Sequence, residues 1–218
     1  LGNTASITNI EKIIAHGVVL DDITTVAGSA LIIEITAETA GNTPPPKADC
    51  SAETDARLIL YGAAVAPDYP WGDSYILIGG LLDDQVTGYM GDDILMGNAG
   101  DDILTGLVGD DILTGGLGND TLSGGDGRDT AVYTGNSADY TITDHGDGTL
   151  TITGPEGTDQ LSSIRFVQFA DKTLTFQQPG IIQYGTTGNN TITGTEDNDI
   201  LFGRDGKDTL NGLAGNDV

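Results

Sequence analysis

The 218 residues carry 33 acidic against 8 basic side chains, a formal charge of −25 at pH 7, which disfavours nucleic acid and anionic membranes as partners. The acids are 27 Asp and only 6 Glu, set beside 33 Gly, a composition of turns and not of a helical or disordered acidic tail. With 38% apolar and 6% aromatic residues an ordinary core would be thin for this length, and a bound cation is the expected supplement.

The single cysteine, Cys50, excludes an intrachain disulfide framework and a thiolate zinc cluster. No apolar run reaches the roughly 18 residues of a membrane span, so membrane insertion is not expected.

In chain order, residues 1–78 hold the strand-like runs VVL, LIIEI, RLILY and YILI, broken by the loop GNTPPPKADCSAETD, and read as an N-terminal β region. Cys50 falls in that loop and is expected to be an exposed thiol, free or linked to a second chain. The stretch APDYPWGDSY (66–75) sets Tyr69, Trp71 and Tyr75 near two acids, an arrangement suited to capping a sheet or to stacking on a sugar or peptide. The segment SITNIEKII (6–14) is mirrored by LSSIRFVQF (161–169), which points to an older duplication.

From Gly79 the sequence repeats every nine residues. Six units fill 79–132: GGLLDDQVT, GYMGDDILM, GNAGDDILT, GLVGDDILT, GGLGNDTLS and GGDGRDTAV. Residues 133–184 change texture; YTIT, TLTIT and TLTF alternate apolar and polar residues between HGDG and GPEG, predicting an antiparallel β module with tight turns. A second array fills 185–218 as GTTGNNTIT, GTEDNDILF, GRDGKDTLN and the partial GLAGNDV. No helical period extends beyond about two turns, and the chain reads as all-β.

Within each unit the first six residues can form a Gly-rich loop and the last three a short strand. The middle strand residue is expected to point inward: Val86, Leu95, Leu104, Leu113, Leu122 and Ala131, then Ile192, Leu201 and Leu210. Successive units would alternate between two sides of a flattened coil, stacking the sixth-position Asp of each unit over that of the unit two further on. Carboxylates about 5 Å apart repel by roughly 1 kcal/mol per pair in water, and by more where water is excluded. A bridging dication reverses that sign, and oxygen-only ligation selects calcium over zinc, copper or magnesium.

These units resemble the GGxGxDxUx repeats of the RTX (repeats-in-toxin) family, over about 88 residues of the two arrays. The resemblance implies a right-handed parallel β-roll solenoid. It further implies that each calcium is held by the carbonyls of positions 2 and 4 and the sixth-position Asp of one loop, with the carbonyls of positions 1 and 3 and the Asp two units later. Carried onto this chain, one site takes Gly80, Leu82 and Asp84 with Gly97, Ala99 and Asp102, and the next takes Tyr89, Gly91 and Asp93 with Gly106, Val108 and Asp111. A third takes Asn98, Gly100 and Asp102 with Gly115, Leu117 and Asp120, and a fourth takes Leu107, Gly109 and Asp111 with Gly124, Asp126 and Asp129. In the second array, Thr195, Asp197 and Asp199 go with Gly212, Ala214 and Asp217. A weaker site has Asn190 in place of Asp, with Thr186, Gly188, Gly203, Asp205 and Asp208. About six ions follow from this counting. Leu82 and Asp197 stand where the fourth-position Gly is expected, so those two loops are expected to be distorted.

The neighbouring pairs Asp92-Asp93 and Asp101-Asp102 follow from the repeat and not from acid–base chemistry; the fifth-position Asp is expected to face solvent and only add charge. His16 and His145 lie apart in turn contexts, and no GxSxG, phosphate loop or GxGxxG after a strand occurs. The expected function is therefore a calcium-binding, non-catalytic structural or adhesive module that folds on calcium. The resemblance implies an extracellular bacterial protein exported by a type I system. The alternative is the accessory tail of a secreted protease, lipase or polysaccharide epimerase. Because GLAGNDV and Leu1 would join in phase, head-to-tail self-association or a tandem array is a further expectation, beside a surface polysaccharide as partner.

Overall fold

The computed structural model describes residues 13–15, 18–19, 30–36, 47–50, 57–63, 74–176, 178–195, 197–213 and 217–218. Leu1, His16, Tyr69, Trp71, Ala214 and most of the segment 6–14 lie outside them. Among the described residues the chain is β throughout, apart from one 3-10 turn at Ser137–Asp139.

The N-terminal strands are β1 (Ile13–Ala15), β2 (Val18–Val19), β3 (Ala30–Thr36), β4 (Lys47–Asp49), β5 (Arg57–Ala63) and β6 (Ile76–Ile78). The first array supplies β7 (Gln85–Met90), β8 (Ile94–Ala99), β9 (Ile103–Val108), β10 (Ile112–Leu117), β11 (Thr121–Asp126) and β12 (Thr130–Val132). Odd strands build one sheet and even strands a second, each strand pairing in parallel with the strand two further on. This is a two-sheet solenoid, with each pair of strands making one turn. The N-terminal strands belong to the same two sheets, since β5 pairs with β7 and β6 with β8.

The period of nine sets the core. Leu60, Val86, Leu104, Leu122 and Leu161 stand in register across one sheet, and Leu77, Leu95, Leu113, Ala131 and Val167 across the other. All are at most 2% exposed, and complete burial of each Leu or Val stabilises by about 1.5–3 kcal/mol. Strands β7 to β11 run six residues: in β9 the pairing with β11 continues through Leu107 and Val108, opposite Gly125 and Asp126. In the six-residue strands β7 to β11 positions 2 and 3 of the following loop therefore join the ladder, which gives their backbone groups partners.

The segment after β12 adds β13 (Thr141–Asp144), β14 (Thr149–Gly154), β15 (Gly157–Ser162), β16 (Phe166–Gln168) and β17 (Thr173–Thr175). β13, β14 and β15 are antiparallel neighbours, as are β16 and β17, in keeping with the alternating sequence. Yet β15 lies parallel to β11 and β16 parallel to β12, so the module extends both sheets of the roll. Tyr133, Tyr140 and Phe169 pack together there with ring centroids 5.0 to 5.6 Å apart, an apolar plug over the end of the core.

β18 (Pro179–Tyr184), at the end of the segment 133–184, precedes the second array, which forms β19 (Thr191–Thr193), β20 (Asn198–Phe202) and β21 (Thr209–Asn211); β18 pairs with β20 and β19 with β21. Ile192 and Leu201 are buried as expected, but Leu210 is 48% exposed, because among the described residues no strand stacks beyond β21. Cys50 also departs from expectation. It is 2% exposed and sits in the core cluster, drawn in where β4 pairs with β6 and its own amide donates to the Ile78 carbonyl at 2.9 Å. A buried thiol is unsuited to linking a second chain.

Candidate metal centre

The loops connecting the two sheets stack in two columns. One column carries Asp84, Asp102 and Asp120; the other carries Asp93, Asp111 and Asp129. Each of these carboxylates is at most 1% exposed. The first-position glycine makes this burial possible: a Cβ on Gly97, Gly106 or Gly115 would collide with Oδ2 of Asp102, Asp111 or Asp120, respectively. The fourth-position glycine answers a different need, positive φ, as at Gly109 (141°) and Gly118 (137°), where L side chains are strained. Position 2 shares that sign in several units with less demand for Gly, as at Asn98 (82°) and Leu107 (85°), but not at Tyr89, Thr186 or Thr195.

Along each column one carboxylate oxygen is held by the preceding turn. The amide of Asp84 donates to Oδ1 of Asp102 at 2.7 Å, and that of Asp102 to Oδ1 of Asp120 at 2.8 Å. In the other column the amides of Asp93 and Asp111 donate to Oδ1 of Asp111 and Asp129 at 2.8 and 2.9 Å. The second oxygen is left over. Oδ2 of Asp102, Asp111, Asp120 and Asp129 is buried without a hydrogen-bond partner, an arrangement that is costly for a carboxylate unless a cation meets it.

Burial, with neighbouring carboxylates adding to it, pushes Asp93, Asp102 and Asp129 up to about 7 and Asp111 and Asp120 up to about 6. Among the described residues no three His, Cys, Asp or Glu side chains converge. Two carboxylates per pair of stacked loops could serve as donors, with loop carbonyls beside them. Such hard oxygen donors suit calcium and offer nothing to thiophilic metals.

Not every expected ligand sits alike. Asp84 and Asp93, at the N-terminal end of the columns, have both oxygens occupied: Oδ1 by the amides of Leu58 and Tyr75 (2.7 and 2.6 Å), Oδ2 by those of Gly80 and Tyr89 (2.6 and 3.0 Å). Leu82 and Asp197, like Gly188, lack the positive φ of the fourth positions Gly91, Gly100, Gly109, Gly118, Gly127 and Gly206. The Asp197 carboxylate is paired with the Arg165 guanidinium and accepts the Gln178 amide, so its side chain joins the second array to the antiparallel module. Asn190 accepts from the Thr186 amide at 2.6 Å, and its own amide donates to Oδ1 of Asp208 at 2.9 Å. Asp199 repeats the buried pattern, its amide on Oδ1 of Asp217 at 3.0 Å, but the Thr195 amide occupies its Oδ2 at 2.6 Å. Asp126, Asp205 and Asp217 are exposed.

Two features escaped the sequence reading. The fifth-position acids do more than add charge. Oδ1 of Asp83, Asp92, Asp101 and Asp110 accepts the amides of Asp101, Asp110, Asn119 and Arg128 at 2.8–2.9 Å, a second column of links running opposite to the buried one. Asp159 is the other feature: it is 1% exposed, accepts the Asp120 amide on Oδ1 at 2.9 Å and the Tyr133 hydroxyl on Oδ2 at 2.8 Å. Its signal was the nonapeptide GPEGTDQLS, out of phase with both arrays.

Residues 76–104, 96–131 and 184–218 match the family model described as the RTX calcium-binding nonapeptide repeat. No curated protein matches the chain. Among solved structures, that of the extracellular lipase LipA from Serratia marcescens is similar, at 15% identity and a TM-score of 0.27, covering 75% of this chain and 33% of that one. The chain therefore spans about a third of the length of that lipase. The two arrays are thus similar to RTX calcium-binding nonapeptide repeats over the matched residues, and their strands pair in parallel as in a β-roll.

Proposed function

We propose that this chain is a non-catalytic structural or adhesive module of a secreted bacterial protein, whose roll is completed by calcium held between stacked loops. The observation that carries this reading is the set of four buried Oδ2 atoms without a donor, at Asp102, Asp111, Asp120 and Asp129. When bound, calcium supplies the positive charge that turns repulsion between successive carboxylates into attraction. The chain's own part is to align the donors. Glycines at position 1 let the carboxylates in, positive φ at positions 2 and 4 folds the loop tightly, and amides of the preceding turn fix Oδ1.

The ions would lie between loops two units apart: 80–84 with 97–102, 89–93 with 106–111, 98–102 with 115–120, and 107–111 with 124–129. The second array would add 195–199 with 212–217 and, more weakly, 186–190 with 203–208, about six ions in all. Continuity of the N-terminal strands with the roll supports a structural reading over a separate ligand-binding unit. Extracellular sites of this class bind at about 10⁻⁴ to 10⁻³ M calcium, so the roll would close outside the cell and stay open in a cytosol poor in calcium.

Calcium titration followed by far-UV circular dichroism, with EDTA reversal and a magnesium control, tests this. A calcium-specific gain of β signal in that range is expected. Full β signal in EDTA would overturn metal-linked folding.

A further inference from the structure

Residues 154–162, GPEGTDQLS, lie in the antiparallel module and outside the matched repeats. From their third position onward they reproduce an array loop bond for bond. The Gly118 amide donates to the Glu156 carbonyl at 2.8 Å, as the Gly100 amide does to that of Leu117 at 2.9 Å. Gly157 has φ 147°, as Gly118 has 137°, and a Cβ on Gly157 would strike the Gly118 carbonyl just as one on Gly118 would strike that of Gly100. The Thr158 amide donates to Oδ1 of Asn119 at 3.1 Å, repeating the fifth-position link. The Gln160 amide donates to the Asp120 carbonyl at 2.8 Å, as Thr121 does to Asp102. Leu161 completes the inward position at 2% exposure.

We propose that this hairpin segment is a further calcium unit, and that it holds an ion against the loop 116–120 through the carbonyls of Gly116, Gly118 and Glu156 and the carboxylates of Asp120 and Asp159. The buried Oδ2 of Asp120 lacks a donor and is open to a cation at this rung as well as at the one proposed between 98–102 and 115–120. Each oxygen of Asp159 already accepts one bond, Oδ1 from the Asp120 amide and Oδ2 from the Tyr133 hydroxyl, which fix the carboxylate and leave it a further lone pair for the ion. Gly154 departs from the array, being paired antiparallel with Gly157 across the turn, so the first-position carbonyl has no part in the site. The other column has no such continuation, because Arg165 follows Asp129 there and its amide bonds to the Asp129 carbonyl at 3.0 Å.

The inference rests on the ligation scheme proposed for the arrays, and the test separates the two. Bound calcium is counted by equilibrium dialysis and elemental analysis on the full chain, on Asp159→Asn and on Asp102→Asn. The expected result is loss of one ion per chain in Asp159→Asn and of two in Asp102→Asn, whose carboxylate serves two sites. An unchanged count in Asp159→Asn with losses in Asp102→Asn overturns the hairpin site alone; unchanged counts in both overturn the ligation scheme as well. Should Asp159→Asn fail to fold, Tyr133→Phe with terbium as the probe decides. Reduced tyrosine-sensitised emission is expected, and undiminished emission overturns the site.

Discussion

Asp102 and Asp120 are joined by a 2.8 Å hydrogen bond from the amide of the first to Oδ1 of the second, while Oδ2 of both is buried without a donor. One oxygen of each carboxylate is spent on holding successive turns in register, and the other is left to a cation. The roll is therefore electrostatically incomplete on its own.

Asp101 and Asp102, neighbours in sequence, should behave differently when replaced. Asp101→Ala removes the exposed bonds that Oδ1 accepts from the backbone and side-chain amides of Asn119 and is expected to cost about 0.5–1.5 kcal/mol with the calcium midpoint little changed. Asp102→Ala should raise that midpoint by about tenfold or more, the equivalent of about 1.4 kcal/mol. Paired calcium and urea titrations check both.

Gly115→Ala and Gly118→Ala separate the two demands on glycine. The first drives a Cβ into the Asp120 carboxylate, the second combines positive φ with the Gly100 carbonyl. Each is expected to destabilise the calcium-loaded roll by about 1–3 kcal/mol, measured by denaturant unfolding at saturating calcium. Only Gly115→Ala should be partly relieved by Asp120→Gly.

Acid should substitute in part for calcium. Burial raises Asp93, Asp102, Asp111, Asp120 and Asp129 from 3.8 to about 6–7, so the folded chain binds protons more tightly than the unfolded one. Their contribution to apo stability is complete below about pH 4 and is lost as pH rises through 6–7. In EDTA, circular dichroism should show more β structure at pH 5 than at pH 8, whereas apparent calcium affinity should fall over the same acidification. Equal β content at both pH values would contradict the burial of these groups.

The Arg165–Asp197 pair ties the second array to the module, with side chains 10% and 20% exposed. Breaking one partner of a largely buried pair costs about 3–5 kcal/mol. Arg165→Met should uncouple the second array, seen in calorimetry as a separate, earlier transition.

The nine-residue period by itself determined the solenoid, because an inward Leu such as Leu104 or Leu113 recurs in phase with the Asp that precedes it by two residues, and only stacked turns bury both. Composition likewise announced a cation, since the excess of Asp has no basic partners. Other features depend on contacts far apart in sequence. Cys50 is buried because Lys47–Asp49 pairs with Ile76–Ile78, and Leu210 is exposed because no described strand stacks beyond its own. Asp159 joins the Asp120 column only because a hairpin turn folds it back across 39 residues, which no constant period can announce. A sequence repeat encodes neighbours at a fixed spacing; where the chain leaves that spacing and returns, only packing decides which loop meets which.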